Sequence, residues 1–146
     1  MSEVFLAEPP TIYPTRAPLV VDASLLAACV FGEMERDAAE ARLRGFILHA
    51  PGLIDYELTN VAVTRLRRNE LTLENAVLAL AEFSMMELER HAPVPEEVAT
   101  IASRYRLTAY DAAYLWLAGA LKAPLATFDR QLANAASDYL GQLPAA

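Results

Sequence analysis

Leu19-Val20-Val21-Asp22-Ala23-Ser24 is the stretch that decides the fold. Three consecutive apolar residues, two of them β-branched, read as a short strand buried on both faces, as strands inside parallel sheets are. Asp22 ends the run, and Ser24 has the chemistry to cap a helix through about Gly32. A carboxylate at the end of a buried strand is costly unless it is hydrogen-bonded, paired or bound to a cation. Asp22 therefore asks for chemistry as well as packing.

The same alternation continues outward from this stretch. A second helix is read in DAAEARLRGF, residues 37–46, and a second strand at Ile47 to His49 before Pro51-Gly52. From Asp55 to Asn69, Leu58, Val61, Ala62 and Leu66 recur at three- and four-residue spacing, which places them on one face of a helix. Asp55 itself falls off the stripe that carries Glu57, Asn60, Thr64 and Arg68. Thr72 opens the next helix, to about Phe83, and Met86 to His91 reads as a strand. Pro93 and Pro95 introduce a helix from Glu96 to Tyr105. Thr108 and Asp111 have the spacing of a capping box, with Asp in place of Glu or Gln, and open AYDAAYLWLAGALK. Pro124 to Phe128 reads as a strand, Asp129 to about Ser137 as a helix, and Tyr139 to Leu143 as a last edge strand. Short strands alternating with helices imply one three-layer α/β/α domain with a mainly parallel central sheet, over residues 19–143. Residues 1–18, which carry Pro9, Pro10, Pro14 and Pro18, read as a proline-rich extended arm.

At 146 residues the chain can bury a single core without disulfides. Cys29 is the only cysteine, which excludes an internal disulfide and a thiolate cluster, and its apolar neighbours make it core. His49 and His91 lack the spacing of a helical zinc motif. The apolar runs are too short for a bilayer, and MSEVFLAEPPTIYPT lacks the basic and apolar segments of a secretion signal, so the expected location is the cytoplasm. Hydrophobic residues are 55% of the chain and mean hydropathy is +0.22, which leaves apolar surface for a partner or a second copy. Net charge is −7, which argues against holding nucleic acid through a broad basic face. A local acidic site that binds cations is compatible with that charge.

Four carboxylates stand at the ends or starts of elements: Asp22 in LVVDAS, Glu57 in LIDYELTNV, Asp111 in LTAYDAAYLWLA and Asp129 in PLATFDRQL. Each has a structural reading. Asp129 as an N-cap would stabilise by about 1 kcal/mol, Asp111 would serve a capping box, and Glu57 would be an ordinary first-turn glutamate. None of these explains why all four should gather at one sheet edge, where open parallel sheets bind ligands. Clustered carboxylates repel, and an all-oxygen set suits Mg²⁺ or Mn²⁺ better than zinc or copper. Such ions activate water and clamp phosphate, the chemistry of phosphodiester hydrolysis. The chain has no glycine-rich phosphate loop and no GxSxG elbow.

The ordered set VVDAS, YELTN, AYDAAYLWLA and ATFDRQL resembles the PIN-domain family, in particular the VapC-type toxins of toxin–antitoxin pairs, over about residues 19 to 142. The resemblance implies that Asp22, Glu57, Asp111 and Asp129 are the catalytic and metal-binding acids of a Mg²⁺- or Mn²⁺-dependent endoribonuclease, Asp129 being the weaker or water-mediated one. Ser24, Asn60 and Thr127 fall where the family has small polar residues around the acids. Arg65 and Arg68 would guide the RNA backbone. The family also implies a homodimer and a VapB-like antitoxin whose C-terminal segment covers the acidic groove. Two other readings stand beside it: a catalytically weak PIN-like module that docks a partner, and a DNA-directed nuclease. Tyr110, Tyr114 and Trp116 around Asp111 read as core or interface before they read as base-stacking residues.

Overall fold

Val20 and Val21 are fully buried, each contributing roughly 1.5–3 kcal/mol, in a strand β1 (Ala17–Val21) that lies inside the sheet. The structure, a computed structural model, describes residues 16–32 and 34–144. In chain order β1 is followed by α1 (Ala23–Phe31), α2 (Arg36–Leu43), β2 (Phe46–Pro51), α3 (Ile54–Arg67), α4 (Leu73–Ser84) and β3 (Leu88–His91). Then come α5 (Pro95–Tyr105), α6 (Ala109–Leu121), β4 (Leu125–Ala126) and α7 (Arg130–Gly141). The four strands are all parallel, in the order β3-β2-β1-β4. Helices α1 to α4 pack on one another, α6 packs against α5 and α7, and α6 also lies on β1, β2 and β4. This is the three-layer α/β/α architecture that the alternation of elements implied. Among the described residues no helix is long and apolar enough to cross a membrane.

The chain runs β1 to β2 to β3 toward one edge and then returns to place β4 on the other side of β1. The boundary between β1 and β4 is thus the point where strand order switches, and the crevice beyond its carboxyl ends is where such sheets bind ligands. Asp22 follows β1 directly, and Thr127 and Asp129 follow β4.

Several boundaries differ from the sequence reading. β1 begins at Ala17, inside the stretch assigned to the arm; the remaining arm residues, 1–15, lie outside the described residues. Pro18 is tolerated because Val20 and Asp22 donate their N–H groups to Pro124 and Ala126 on the β4 side, and Pro18 faces that same side before β4 begins. The cap of α1 is Asp22, not Ser24: the Asp22 side chain accepts from the backbone of Ser24 and Leu25, and Gly32, at φ 65°, stops the helix in the left-handed conformation. Phe46 belongs to β2 rather than to the helix before it. The expected last strand at Tyr139 to Leu143 is instead the end of α7, which runs to Gly141. Leu132, Ala135 and Ala136 are buried, and Tyr139 and Leu140 extend the same face at helical spacing, with no turn residue to break the run before Tyr139.

Cys29 is buried in the core beside Leu25, Leu26 and Val30, as expected. Tyr114 is also core, only 1% exposed. Trp116 is partly buried and donates its indole N–H to Glu97, whereas Tyr110 is exposed.

Candidate active site

The site begins with a problem of burial. Asp22 is the buried charged side chain of the core, 6% exposed, and it is supplied with donors from two strand ends. Oδ1 accepts from the Ser24 hydroxyl at 2.6 Å and from the backbone N–H groups of Ser24 and Leu25 at 3.1 and 3.3 Å. Oδ2 accepts from the Thr127 hydroxyl. The same two hydroxyls tie in the chain beyond β4: Ser24 Oγ accepts from Phe128 N–H at 3.1 Å, and Thr127 Oγ1 from Asp129 N–H at 2.9 Å. Burial still pushes the Asp22 carboxyl above its ordinary range, and these hydrogen bonds pull it partly back. Three of the donors fall on Oδ1, so Oδ2 keeps acceptor capacity for a further ligand.

Glu57 stands in the first turn of α3 and Asp111 in the first turn of α6, both half-buried. Glu57 Oε1 accepts from the Tyr114 hydroxyl at 2.6 Å. Burial raises the Glu57 carboxyl, the Tyr114 bond lowers it, and the fields of Asp111 and Asp22 raise it again. Asp111 is raised by burial first and then by the charges of Asp129 and Asp22, while Thr108 lowers it. Asp129 is exposed and caps α7 by accepting from Leu132 N–H at 3.1 Å. The four acids are therefore one electrostatic cluster, linked in pairs by repulsion. All four also sit at helix starts, where the positive end of the helix dipole offsets part of that repulsion.

Of the small polar residues expected around the acids, Ser24 and Thr127 both hold Asp22. Asn60 is exposed on α3, and among the described residues no hydrogen bond ties it to an acid. Arg65 and Arg68 lie eight and eleven residues beyond Glu57, about 12 and 16 Å along the helix, at the opposite end of α3. Arg65 stacks over Phe31, its guanidinium carbon 5.1 Å from the ring centroid. The fold does not bring these arginines to the acids. It does bring Tyr114, whose tie to Glu57 the sequence reading missed; the available signal was its place three residues after Asp111, on the same helix face.

Among the described residues no three His, Cys, Asp or Glu side chains converge as a ready-made direct ligand set. The donor chemistry nonetheless fits a hard divalent cation that keeps several of its waters. The donors are all carboxylate oxygens, Glu57 and Asp111 are raised by the charges of neighbouring acids, and Asp22 Oδ2 keeps acceptor capacity beside its bond from Thr127.

Comparisons with known proteins place the chain in a family. The PIN domain matches residues 19–138, a span that includes all four acids. Ribonuclease VapC3 of Pyrobaculum aerophilum is 35% identical over 121 residues, covering 80% of this chain and 92% of its own. Ribonuclease VapC1 of Mycobacterium tuberculosis is 33% identical over 121 residues, covering 80% of this chain and 89% of its own. The crystal structure of PAE2754 from Pyrobaculum aerophilum superposes with a TM-score of 0.65 at 26% identity, over 82% of this chain and 85% of that one. By the match over residues 19–138 and by these relatives, the chain belongs to the PIN-domain family, among its VapC-type members.

Proposed function

We propose that the protein is a metal-dependent endoribonuclease, the toxin of a VapBC-type toxin–antitoxin pair. The observation that carries this reading is a buried carboxylate, Asp22, held by Ser24 and Thr127 at the β1–β4 switch point, with Glu57 and Asp111 half-buried within its field. Structural acids at helix starts have no need to share a field, whereas cation-binding acids do. Relatives named as ribonucleases support the substrate class.

Asp22, Glu57 and Asp111 would hold Mg²⁺ or Mn²⁺, with Asp129 at the margin through water. When bound, the cation supplies charge neutralisation for the phosphate and lowers the pKa of water. The residues of the chain do the rest. Ser24 and Thr127 fix the Asp22 carboxylate, and Tyr114 fixes Glu57 through Oε1. Hydrolysis in line at phosphorus would leave a 5′-phosphate and a 3′-hydroxyl, as the family resemblance implies. Arg65 and Arg68, toward the far end of α3, would meet RNA flanking the cut. The test is cleavage of RNA with Mg²⁺, with EDTA, and by Asp22→Asn. Cutting that survives EDTA, or full activity in the variant, overturns the mechanism; preference for single-stranded DNA would replace the substrate.

A partner is favoured by a specific surface. On α4 and its C-cap, Leu73, Val77, Leu78 and Met85 are exposed, between 56% and 85%, on the side opposite buried Ala76, Ala79 and Phe83 and beside exposed Glu74. Exposed apolar residues grouped in this way mark a partner surface. We assign it to a second copy of the chain, the homodimer that the family resemblance implies. Light scattering of the chain alone tests this: a dimer is expected, and a monomer, or a chain that associates only with the product of an adjoining short reading frame, overturns the assignment.

A further inference from the structure

His49 and His91 lie 42 residues apart, yet His49 Nδ1 and His91 Nε2 meet at 2.9 Å. The strand register explains this: His49 pairs with Glu89 and Pro51 with His91, so His49, Glu89 and His91 share one face of the sheet. The ring centroids are 5.1 Å apart with 34° between planes, so the nitrogens meet end to end rather than face to face. Two imidazole nitrogens at this separation need one proton between them. Two lone pairs would repel, and two N–H groups would clash.

The residues around this contact lead to the acidic site. The backbone carbonyl of His91 accepts from Gly52 N–H at 2.9 Å, at the junction between β2 and α3. Next to His91, Arg90 binds both Asp55 oxygens, at 2.7 and 2.8 Å, and its guanidinium lies over Phe83. Asp55 is in the first turn of α3, two residues before Glu57. The end of β3 therefore grips the start of α3 at two points, and β3 is itself an edge strand of only four residues.

We propose that His49 and His91 share one proton and, with the Arg90–Asp55 pair, form a clasp that positions the first turn of α3, and hence Glu57, and that the imidazole half opens when both rings are protonated. These are positioning residues; neither touches the reacting atoms. The role of Glu57 rests on the nuclease reading, while the clasp itself does not.

The charges around the pair set its sign. Burial holds His49 below its ordinary pKa, the His91 charge lowers it further, and Glu89 raises it. β1 places apolar Val20 beside His49, and α6, which also packs on β2, carries charge only at its ends, Asp111 and Lys122. In the first turn of α5, Glu96 and Glu97 follow β3, and Glu97 is engaged by Trp116. A base depressed in the folded state contributes stability above its unfolded pKa, near 6.5, and loses it as pH falls through the folded value.

The experiment titrates the whole ¹⁵N-labelled chain from about pH 8 to pH 5, following both imidazoles and amide exchange at Gly52, corrected for intrinsic rates. The expected result is two proton-uptake steps separated by about one unit or more, with Gly52 exchange faster by on the order of tenfold across the second. The double variant His49→Gln, His91→Gln keeps a neutral hydrogen-bonding pair without a titrating group and should show no such step. Independent titration of the two rings with flat Gly52 exchange overturns the clasp, even if RNA is cleaved normally. A coupled pair and a pH step in exchange, with no RNA cleavage at any pH, keeps the clasp and removes the nuclease reading. Where both hold, the acid limb of the cleavage profile shifts to lower pH in the double variant.

Discussion

Thr127, at the end of β4, donates its hydroxyl to Asp22, at the end of β1, across 105 residues of chain. That bond joins the two strands between which the sheet changes direction, and the same hydroxyl accepts from Asp129 N–H at the start of α7. Thr127→Val keeps the shape and deletes both functions. Stability near neutral pH should fall by about 1–3 kcal/mol, because a buried carboxylate loses a donor and an N–H loses its acceptor. Asp22 should also titrate higher than in the parent, so the loss should shrink as pH falls through its pKa. Urea unfolding at several pH values checks this, with Thr127→Ser as the variant that restores the parent. A pH-independent loss would assign Thr127 to packing alone.

Tyr114→Phe removes one oxygen from a side chain that is only 1% exposed. The ring still fills its place, so the change isolates the hydrogen bond to Glu57 Oε1. A bond to a charged acceptor is worth about 1.5–3 kcal/mol, and the loss should fall at the lower end because Glu57 is only half-buried. Without it, Glu57 should hold its proton to higher pH, since this bond is what lowers its pKa. RNA cleavage should drop by on the order of tenfold, while Tyr110→Phe, on an exposed ring, changes neither stability nor rate. Carbon-13 titration of the Glu57 carboxyl and initial cleavage rates check the pair.

Most of the fold was legible because its determinants are local. LVV followed by Asp, Thr72 and Thr108 as caps, and the spacing of Leu58 and Ala62 each act within a turn or a strand, and each appears where expected. The errors came from competing local signals. Tyr139 and Leu140 satisfy both a short strand and a helix face, and only packing against α6 and α5 decides between them. Asp22 and Ser24 are both good caps, and the one nearer the strand end wins because its carboxylate also reaches Thr127. The acids stand where strand ends and helix starts mark them. Their ties are not marked in this way: Tyr114 to Glu57, Arg90 to Asp55 and His49 to His91 depend on which strands become neighbours. Arg65 and Arg68 stand at the far end of α3 from Glu57, where helix length alone puts them.

The acids contribute to the pH dependence of stability with a sign opposite to that of His49, so their share is read in the His49→Gln, His91→Gln background. Asp22, Glu57 and Asp111 all have pKa values raised in the folded state, so the folded chain binds more protons than the unfolded one in that window. Their contribution is fully present below the unfolded values, near 3.8 for Asp and 4.5 for Glu, and is lost as pH rises through the folded ones. In EDTA, the midpoint of thermal unfolding should therefore decline from mildly acid toward neutral pH. Added Mg²⁺ should restore it at neutral pH, by about 2.7 kcal/mol at a hundred times its dissociation constant, and do little where the acids are protonated. Asp111→Asn should flatten the slope and raise metal-free stability while weakening the response to Mg²⁺. A metal response equal in the variant and the parent would remove Asp111 from the cation site.

Asp129 separates a cap from a site acid, because one substitution keeps the first role and deletes the second. Asparagine caps helices about as well as aspartate, so Asp129→Asn should leave stability nearly unchanged, whereas Asp129→Ala should cost about 1 kcal/mol by freeing Leu132 N–H. If the charge serves the cluster through Asp111, as the raised pKa of Asp111 supports, both variants should lose cleavage to the same extent, on the order of ten- to a hundredfold. The Asp111 carboxyl should also titrate lower in both, since its first charged neighbour is gone. Full activity in Asp129→Asn, with loss confined to Asp129→Ala, would reduce Asp129 to a helix cap and leave Asp22, Glu57 and Asp111 as the working set. Thermal unfolding, Asp111 titration and cleavage rates on the two variants decide between these outcomes without a third substitution.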